Sequence, residues 1–361
     1  MERRTVVSVV GARPNFVKMA PVIAELGRRP GEFRSVVVHT GQHYDAEMSQ
    51  IFFEELGVPE PDHLLDVGSG THAVQTARVM ERIEPILSEE RPDVVLVPGD
   101  VNSTLGASVV AAKLQIPLGH VEAGLRSFDR SMPEEINRIV ADSIADLLFI
   151  HSPEAREHLL REGHGEEDIH FVGNTMIDTL VRMRPRAESL EVARRLGVEP
   201  GTFLLVTLHR PALVDGELLE PAMRALEEVA RELRVLFPCH PRTAHRLRAL
   251  GIGGSESLRL LEPLGYLEFL SLLLGAGSVL TDSGGIQEET TYLGIPCFTL
   301  RDNTERPLTC SVGTNTLLGL DPRRIVEIPQ LVASAGGEHA VPERWDGASA
   351  QRLVDVLARL A

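Results

Sequence analysis

Eight short polar segments, most of them directly after apolar runs, hold the side chains of this sequence that are best suited to chemistry. They are GARPNFVK (Gly11–Lys18), PGDVNST (Pro98–Thr104), HVEAGLRS (His120–Ser127), MPEEINR (Met132–Arg138), LHRP (Leu208–Pro211), PCHPRT (Pro238–Thr243), TDSGGIQEE (Thr281–Glu289) and LRDNTERP (Leu300–Pro307). Ser283, Gly284 and Gly285 read as an anion site. They fall between a strand and a helix expected to begin near Ile286, where bare backbone N–H groups and the helix dipole favour a phosphate by about 0.3–1 kcal/mol. No lysine follows these glycines, and the GIGG of Gly251–Gly254 does not follow a strand, so neither an ATPase nor a nicotinamide enzyme is indicated. Arg13 and Lys18 would add positive charge from the other half of the chain.

Asp100, Glu122 and Glu134 have no place around an anion alone; together they read as acid–base groups around a carbohydrate. Taken singly, each also has a structural reading, with Glu134 capping a helix after Pro133 and Glu122 paired to Arg126 or Arg138. His39, His120, His209 and His240 fall at strand ends, but no HxH or HExxH spacing is present, so no metal is expected.

Positioning these groups requires parallel strands covered by helices, and the hydrophobic pattern supplies them. In the first half the expected strands are Val6–Val10, Ser35–Thr40, Asp93–Val97, Ile116–His120, Leu147–His151 and Ile169–Val172. Helices are expected at Val17–Arg28, Thr71–Glu90, Thr104–Leu114, Glu134–Ala145 and Pro153–Glu162. The charged stretch Arg182–Ser189 reads as a joint, after which Phe203–Leu208, Val235–Phe237, Leu258–Leu261, Ser278–Thr281 and Pro296–Leu300 repeat the alternation. The fold class is therefore α/β, with two Rossmann-like doubly wound domains in tandem, and ligand-binding residues converging on an interdomain cleft.

Composition narrows the function further. A length of 361 residues suits two domains, and 43% hydrophobic with 24% charged residues is ordinary globular composition. The formal charge of −16 opposes nucleic acid and anionic lipid, so no nucleic-acid or membrane partner is expected. Lys18 and Lys113 are the only lysines, which makes a lysine beside a glycine-containing loop notable. Cys239, Cys297 and Cys310 are odd in number and widely spaced, which favours reduced thiols in a cytoplasm over disulfides or zinc. The apolar run in MERRTVVSVVGARP stops at Gly11, short of a signal peptide, and Leu264–Thr281, the longest apolar stretch, reads as a buried helix followed by a buried strand.

The segments resemble those of the non-hydrolysing UDP-N-acetylglucosamine 2-epimerases, in order and over nearly the whole chain, from GARPNFVKMAP through PDVVLVPGD, HVEAGLRS, PEEINR, FVGNTMIDTL, LHR, TDSGGIQEE and RDNTERP to Gly313–Asn315. The resemblance implies a glycosyltransferase-B-like arrangement and a homodimer. It places an N-terminal domain at 1–173, a UDP-binding domain at 174–345 and a last helix at 346–361 crossing back to the first domain. It also implies reversible conversion of UDP-N-acetylglucosamine to UDP-N-acetylmannosamine by elimination and re-addition of UDP, with no cofactor and no metal.

Asp100, Glu122 and Glu134 would then be the acid–base carboxylates, and His209 would protonate or stabilise the departing phosphate. Arg13, Lys18 and Arg138 would help hold the diphosphate and sugar, and Ser283, Gly284 and Gly285 the phosphate. Glu289 would take the ribose hydroxyls and backbone near Phe269 the uracil, with His240 also at the substrate. In bacterial members a second substrate molecule activates near the loop here written GQHYDAEM, which extends a regulatory role to Gln42 and His43.

The sequence departs from the family at Pro211-Ala212-Leu213, where polar residues are common, at Leu308 and at Cys239. These changes leave open a hydrolysing relative and a 2-epimerase of C3- or C6-modified UDP-sugars. A glycosyltransferase of the same build would show a membrane-facing patch, and none is seen in the first half. A nucleotide-sugar-binding sensor would not need the intact carboxylates.

Overall fold

Valine-rich runs, whose β-branched side chains suit a pleated surface buried on both faces, form the central strands of two parallel sheets. The computed structural model describes residues 3–41, 55–334 and 339–360. Gln42 and His43 lie outside the described residues.

The chain forms two units, Met1–Arg182 with Glu343–Ala361, and Met183–Pro342. The first contains a seven-stranded sheet of order β3-β2-β1-β4-β5-β6-β7. Its strands are β1 (Arg4–Val10), β2 (Phe33–His39), β3 (His63–Leu64), β4 (Val94–Pro98), β5 (Leu118–Val121), β6 (Leu147–Ile150) and β7 (Ile169–Phe171). The second contains a six-stranded sheet of order β10-β9-β8-β11-β12-β13. Here the strands are β8 (Phe203–Thr207), β9 (Arg234–Pro238), β10 (Leu258–Leu261), β11 (Ser278–Thr281), β12 (Cys297–Thr299) and β13 (Asn315–Leu317). Every pairing is parallel, as the α/β reading requires.

One core of the first unit packs Val7, Val9, Val36, Val38 and Val95 of the sheet against Val79, Ile83 and Leu87 of the helix His72–Glu90. Gly106, in the helix Asn102–Lys113, lets the two helices approach closely: a Cβ there would lie 2.8 Å from Val79 Cγ1. The last helix, Ser349–Ala358, belongs to this unit and packs on the helix Arg13–Arg28. Asp178 accepts from Ser349 N at 3.1 Å and Ala350 N at 2.7 Å, satisfying donors that the first helical turn leaves over. At the other end Arg4 donates to the carbonyls of Leu357 and Ala358, both at 2.9 Å.

The boundary between the units, at Arg182 and Met183, falls in the stretch Arg182–Ser189 read as a joint; that stretch lies largely within the helix Thr175–Glu188, where Arg184 pairs with Glu188 one turn on. The strands β3 and β13 lack apolar runs and were not expected; each pairs with a single neighbour at a sheet edge. Leu264–Thr281 does resolve into a buried helix, Tyr266–Gly275, and the strand β11. No helix among the described residues is long and apolar enough to cross a membrane.

Candidate active site

In each sheet the strand order reverses direction once, between β1 and β4 in the first unit and between β8 and β11 in the second. Chains leaving adjacent strands at such a point diverge and open a crevice at their carboxyl ends. Gly11–Lys18 and Gly99–Thr104 leave β1 and β4, and His209 and Asp282 leave β8 and β11.

In the first unit Arg13 heads the helix Arg13–Arg28, and Asn15 fixes the loop before it. Asn15 Oδ1 accepts from Gly11 N and Ala12 N, both at 3.2 Å, and its amide donates to the carbonyl of Pro98 at 3.3 Å. One turn on, the Lys18 ammonium pairs with Glu122 Oε2, and both side chains are buried. Glu122 lies just past β5 in a left-handed backbone conformation, φ +73°. Such a conformation is costly for a residue with a Cβ and persists only where its surroundings fix it. Glu122 N and Ala123 N both donate to the carbonyl of Phe149, at 3.0 and 3.1 Å.

The helix Pro133–Ile144 turns three charged residues toward this loop cluster, Glu135, Arg138 and Asp142, at helical spacing. Glu135 accepts from Ser127 N at 2.9 Å, Phe128 N at 2.9 Å and Arg138 Nη2 at 2.9 Å. Burial pushes its carboxyl up, but these donors outweigh burial and hold it below the usual range. Arg138 spans two carboxylates, with Nη1 donating to Asp100 Oδ2. Glu134 is half-buried in the first turn of the same helix, where the helix dipole favours a negative charge. Glu122 thus pairs with Lys18 and with neither arginine proposed from the sequence, because Arg126 is engaged by Asp142 and Glu162 and Arg138 by Asp100 and Glu135. His39, at the end of β2, is pushed down to about 4 by burial, so its ring is neutral at pH 7, and it packs beside Phe16 with the ring planes tilted by 60°.

In the second unit Asp282 organises the end of β11. Its Oδ2 accepts from His209 N at 2.9 Å and Arg210 N at 2.8 Å, and its Oδ1 lies 3.0 Å from His209 Nδ1. With Nδ1 turned to the buried carboxylate, the Nε2 edge of the half-exposed His209 ring is the one available to a ligand. Burial raises the Asp282 carboxyl, but His209 and the two backbone N–H groups hold it below its ordinary value.

Ser283 is the N-cap of the helix Gly284–Leu293, so the helix starts two residues before the expected Ile286. A Cβ on Gly284 would come within 2.4 Å of Arg306 Nη1 and 2.8 Å of Glu305 Oε1, so glycine is required for these groups to lie beside the helix start. Glu305 is ringed by Arg306, Arg301 and Arg210, which overcome burial and keep its carboxyl far below the usual range. Glu289 is buried one turn into the helix, and burial together with the nearby charge of Glu288 pushes it up to about 8 against the hydrogen bond from Tyr266 Oη, 3.3 Å away. Phe269 stands in the helix Tyr266–Gly275 with its N–H donated to Gly265 O at 2.9 Å. His240 is the exposed N-cap of the helix Pro241–Ala249, its Nδ1 accepting from Arg242 N at 3.3 Å.

The first unit therefore pairs Lys18 with Glu122 and Arg138 with Asp100, and the second pairs His209 with Asp282, the residue before Ser283. The segments named from the sequence contain Asn15, Glu135, Asp282 and the Arg301–Arg306 cluster without giving them individual roles, and Asp142 lies outside them. The signal for Glu135 and Asp142 was present: charged residues spaced i, i+3 and i+7 with Arg138 share a helix face.

A family model described as UDP-N-acetylglucosamine 2-epimerase matches residues 24–358. The UDP-N-acetylglucosamine 2-epimerase of Methanococcus maripaludis is 40% identical over 359 residues, covering 97% of each chain. The UDP-2,3-diacetamido-2,3-dideoxy-D-glucuronate 2-epimerase of Pseudomonas aeruginosa is 39% identical over 360 residues, covering 98% of this chain and 99% of that one. The crystal structure of the Methanocaldococcus jannaschii UDP-GlcNAc 2-epimerase in complex with UDP-GlcNAc and UDP superposes with a TM-score of 0.90 at 40% identity, covering 98% of this chain and 99% of that one.

Proposed function

Because the chain belongs to the UDP-N-acetylglucosamine 2-epimerase family, we propose that it interconverts UDP-N-acetylglucosamine and UDP-N-acetylmannosamine. The observation that carries this reading is that Asp100 and Glu122, at the ends of the adjacent strands β4 and β5, are each held by a cation from a neighbouring helix. The C2 hydrogen of the sugar has no adjacent carbonyl to acidify it. Departure of UDP from C1 leaves an oxocarbenium-like species whose C2 proton a carboxylate can remove, giving a glycal. Re-addition of UDP at C1, with protonation of C2 on the opposite face, gives the epimer, and positioned acid–base groups contribute about 10²–10⁴ in rate.

In this reading Asp100, Glu122 and Glu134 supply the acid–base groups, and Arg13, Lys18 and Arg138 bind the sugar and diphosphate. His209 presents Nε2 to the departing phosphate. The Ser283 hydroxyl and the N–H groups of Gly284 and Gly285 hold the phosphate, the Ser283 N–H itself being donated to Thr281 Oγ1; Glu289 takes the ribose and the Phe269 segment the uracil, with His240 beside the nucleotide. No cofactor or metal enters the chemistry. A homodimer follows from the same family likeness and is checked by sedimentation.

The 39% identity to an enzyme named for a 2,3-diacetamido glucuronate makes a modified UDP-sugar the second reading. Parallel incubations with UDP-N-acetylglucosamine and UDP-2,3-diacetamido-2,3-dideoxy-D-glucuronate, followed by NMR of the C2 configuration, separate the two. Turnover of the first supports the proposal, turnover of the second alone replaces it, and free sugar with UDP assigns the chain to the hydrolysing class.

A further inference from the structure

The strand β5 carries, one residue before its end, a fully buried histidine that none of the roles above uses. His120 Nδ1 lies 2.6 Å from Asp142 Oδ1, and its Nε2 lies 2.7 Å from the carbonyl oxygen of Gly99. A carbonyl only accepts, so Nε2 carries a hydrogen and donates it. The ring thus joins the helix Pro133–Ile144 to the residue before Asp100. Asp142 has further bonds. Its Oδ2 accepts from Gly124 N at 3.1 Å and meets Arg126 Nη1 at 2.7 Å, two and four residues beyond Glu122. Gly124 is itself left-handed, φ +78°, and a Cβ there would come within 2.6 Å of Ala155 O. The chain on either side of Glu122 is therefore anchored to one carboxylate, and the unusual backbone at Glu122 is held from both directions.

We propose that His120 and Asp142 form a buried strut that positions Asp100 and Glu122 relative to each other, and that they are positioning residues for the reaction. This rests on the acid–base reading of Asp100 and Glu122. The strut sets the height of Asp100 through the Gly99 carbonyl and the turn of Glu122 through Gly124 and Arg126. Small displacements of such groups are costly, about 10²-fold in rate for 1 Å.

The test uses the full-length protein and the substitutions His120→Gln and His120→Asn. The glutamine amide nitrogen reaches the place of Nε2 and keeps the bond to Gly99, whereas the asparagine amide reaches only the place of Nδ1 and keeps the bond to Asp142. Each variant severs one end and uncouples Gly99 from Asp142, so the strut predicts that both lower kcat about 100-fold with KM and UDP affinity changed less than about 3-fold. A side chain that only fills space would leave kcat of both folded variants within about 3-fold of the parent, and that result overturns the proposal.

Should either variant fail to fold, ¹⁵N-histidine NMR of the unsubstituted protein decides the matter. A protonated His120 Nε2 protected from exchange supports the strut, and an Nε2 without hydrogen removes it. If the unsubstituted protein epimerises no UDP-sugar, the functional reading fails on its own, and the NMR result still stands for the strut.

Discussion

The Lys18 ammonium and the Glu122 carboxylate meet above the Cα of Gly99, in space that only a glycine leaves open. A Cβ on Gly99 would come within 2.8 Å of Lys18 Nζ and 3.4 Å of Glu122 Oε2, and Gly99 has φ +62°. Sequence spacing of more than 100 residues separates the two charges, and the adjacency of β1, β4 and β5 brings them together.

Gly99→Ala therefore meets both a crowded ion pair and an unfavourable backbone. It should lower kcat by about 10²-fold with a smaller loss of UDP affinity, since Lys18 is assigned to the diphosphate while the groups assigned to the ribose and uracil lie in the other unit. Steady-state kinetics with UDP calorimetry checks this; an unchanged kcat would remove the Lys18–Glu122 pair from the mechanism.

Removing the partners of the pair one at a time should cost more than removing both. Lys18→Met leaves the buried Glu122 without its lysine charge, and Glu122→Gln leaves Lys18 without its carboxylate. The double variant should recover a coupling of about 1–3 kcal/mol in urea unfolding. Additive losses would mean that the two charges do not interact. Glu122→Gln alone should also lower turnover by about 10²–10⁴ with UDP binding largely intact.

His209 depends on Asp282 for its orientation. Asp282→Asn keeps the shape but weakens the bond to Nδ1, and should reduce kcat about 10²-fold with little change in KM. Because the folded Asp282 carboxyl lies below its unfolded value, its contribution to stability is present above about pH 3.8 and is lost as pH falls through the lower folded value. Melting curves of parent and variant should therefore converge in acid; a constant gap down to pH 2 would contradict the assignment.

Glu289 has the opposite sign. Its folded value of about 8 lies above the unfolded 4.5, so the protein takes up a proton on folding between these limits. The stability it contributes is fully present below pH 4.5 and is lost as pH rises through 8. Glu289→Gln removes this dependence, so the melting temperature of the parent relative to the variant should decline from pH 5 to pH 8. A flat difference would place the carboxyl in a more solvated setting.

The strands and the loops after them were legible because burial on both sheet faces writes continuous apolar runs, and ligand groups must follow at the carboxyl ends. Asp100, Glu122, His209 and Ser283 stand just past the ends of β4, β5, β8 and β11, where that reading put them. The partner choices were not legible. Arg126 is the cation nearest to Glu122 in sequence and Arg138 lies on the next helix, yet the helix Pro133–Ile144 presents Asp142 to the first and Glu135 to the second. Asp282 was visible within TDSGGIQEE, but its role arises from the neighbouring strand β8, which no local pattern identifies. The edge strands β3 and β13 are too short to carry a periodic signal.

The proposed epimerisation turns on reversible loss of the C2 proton with the sugar returned to UDP. It is tested by proton NMR of the protein with UDP-N-acetylglucosamine in heavy water. Deuterium is expected at C2 in both UDP-N-acetylglucosamine and UDP-N-acetylmannosamine, with the anomeric carbon still bonded to UDP. Formation of the epimer with protium retained at C2 would contradict it.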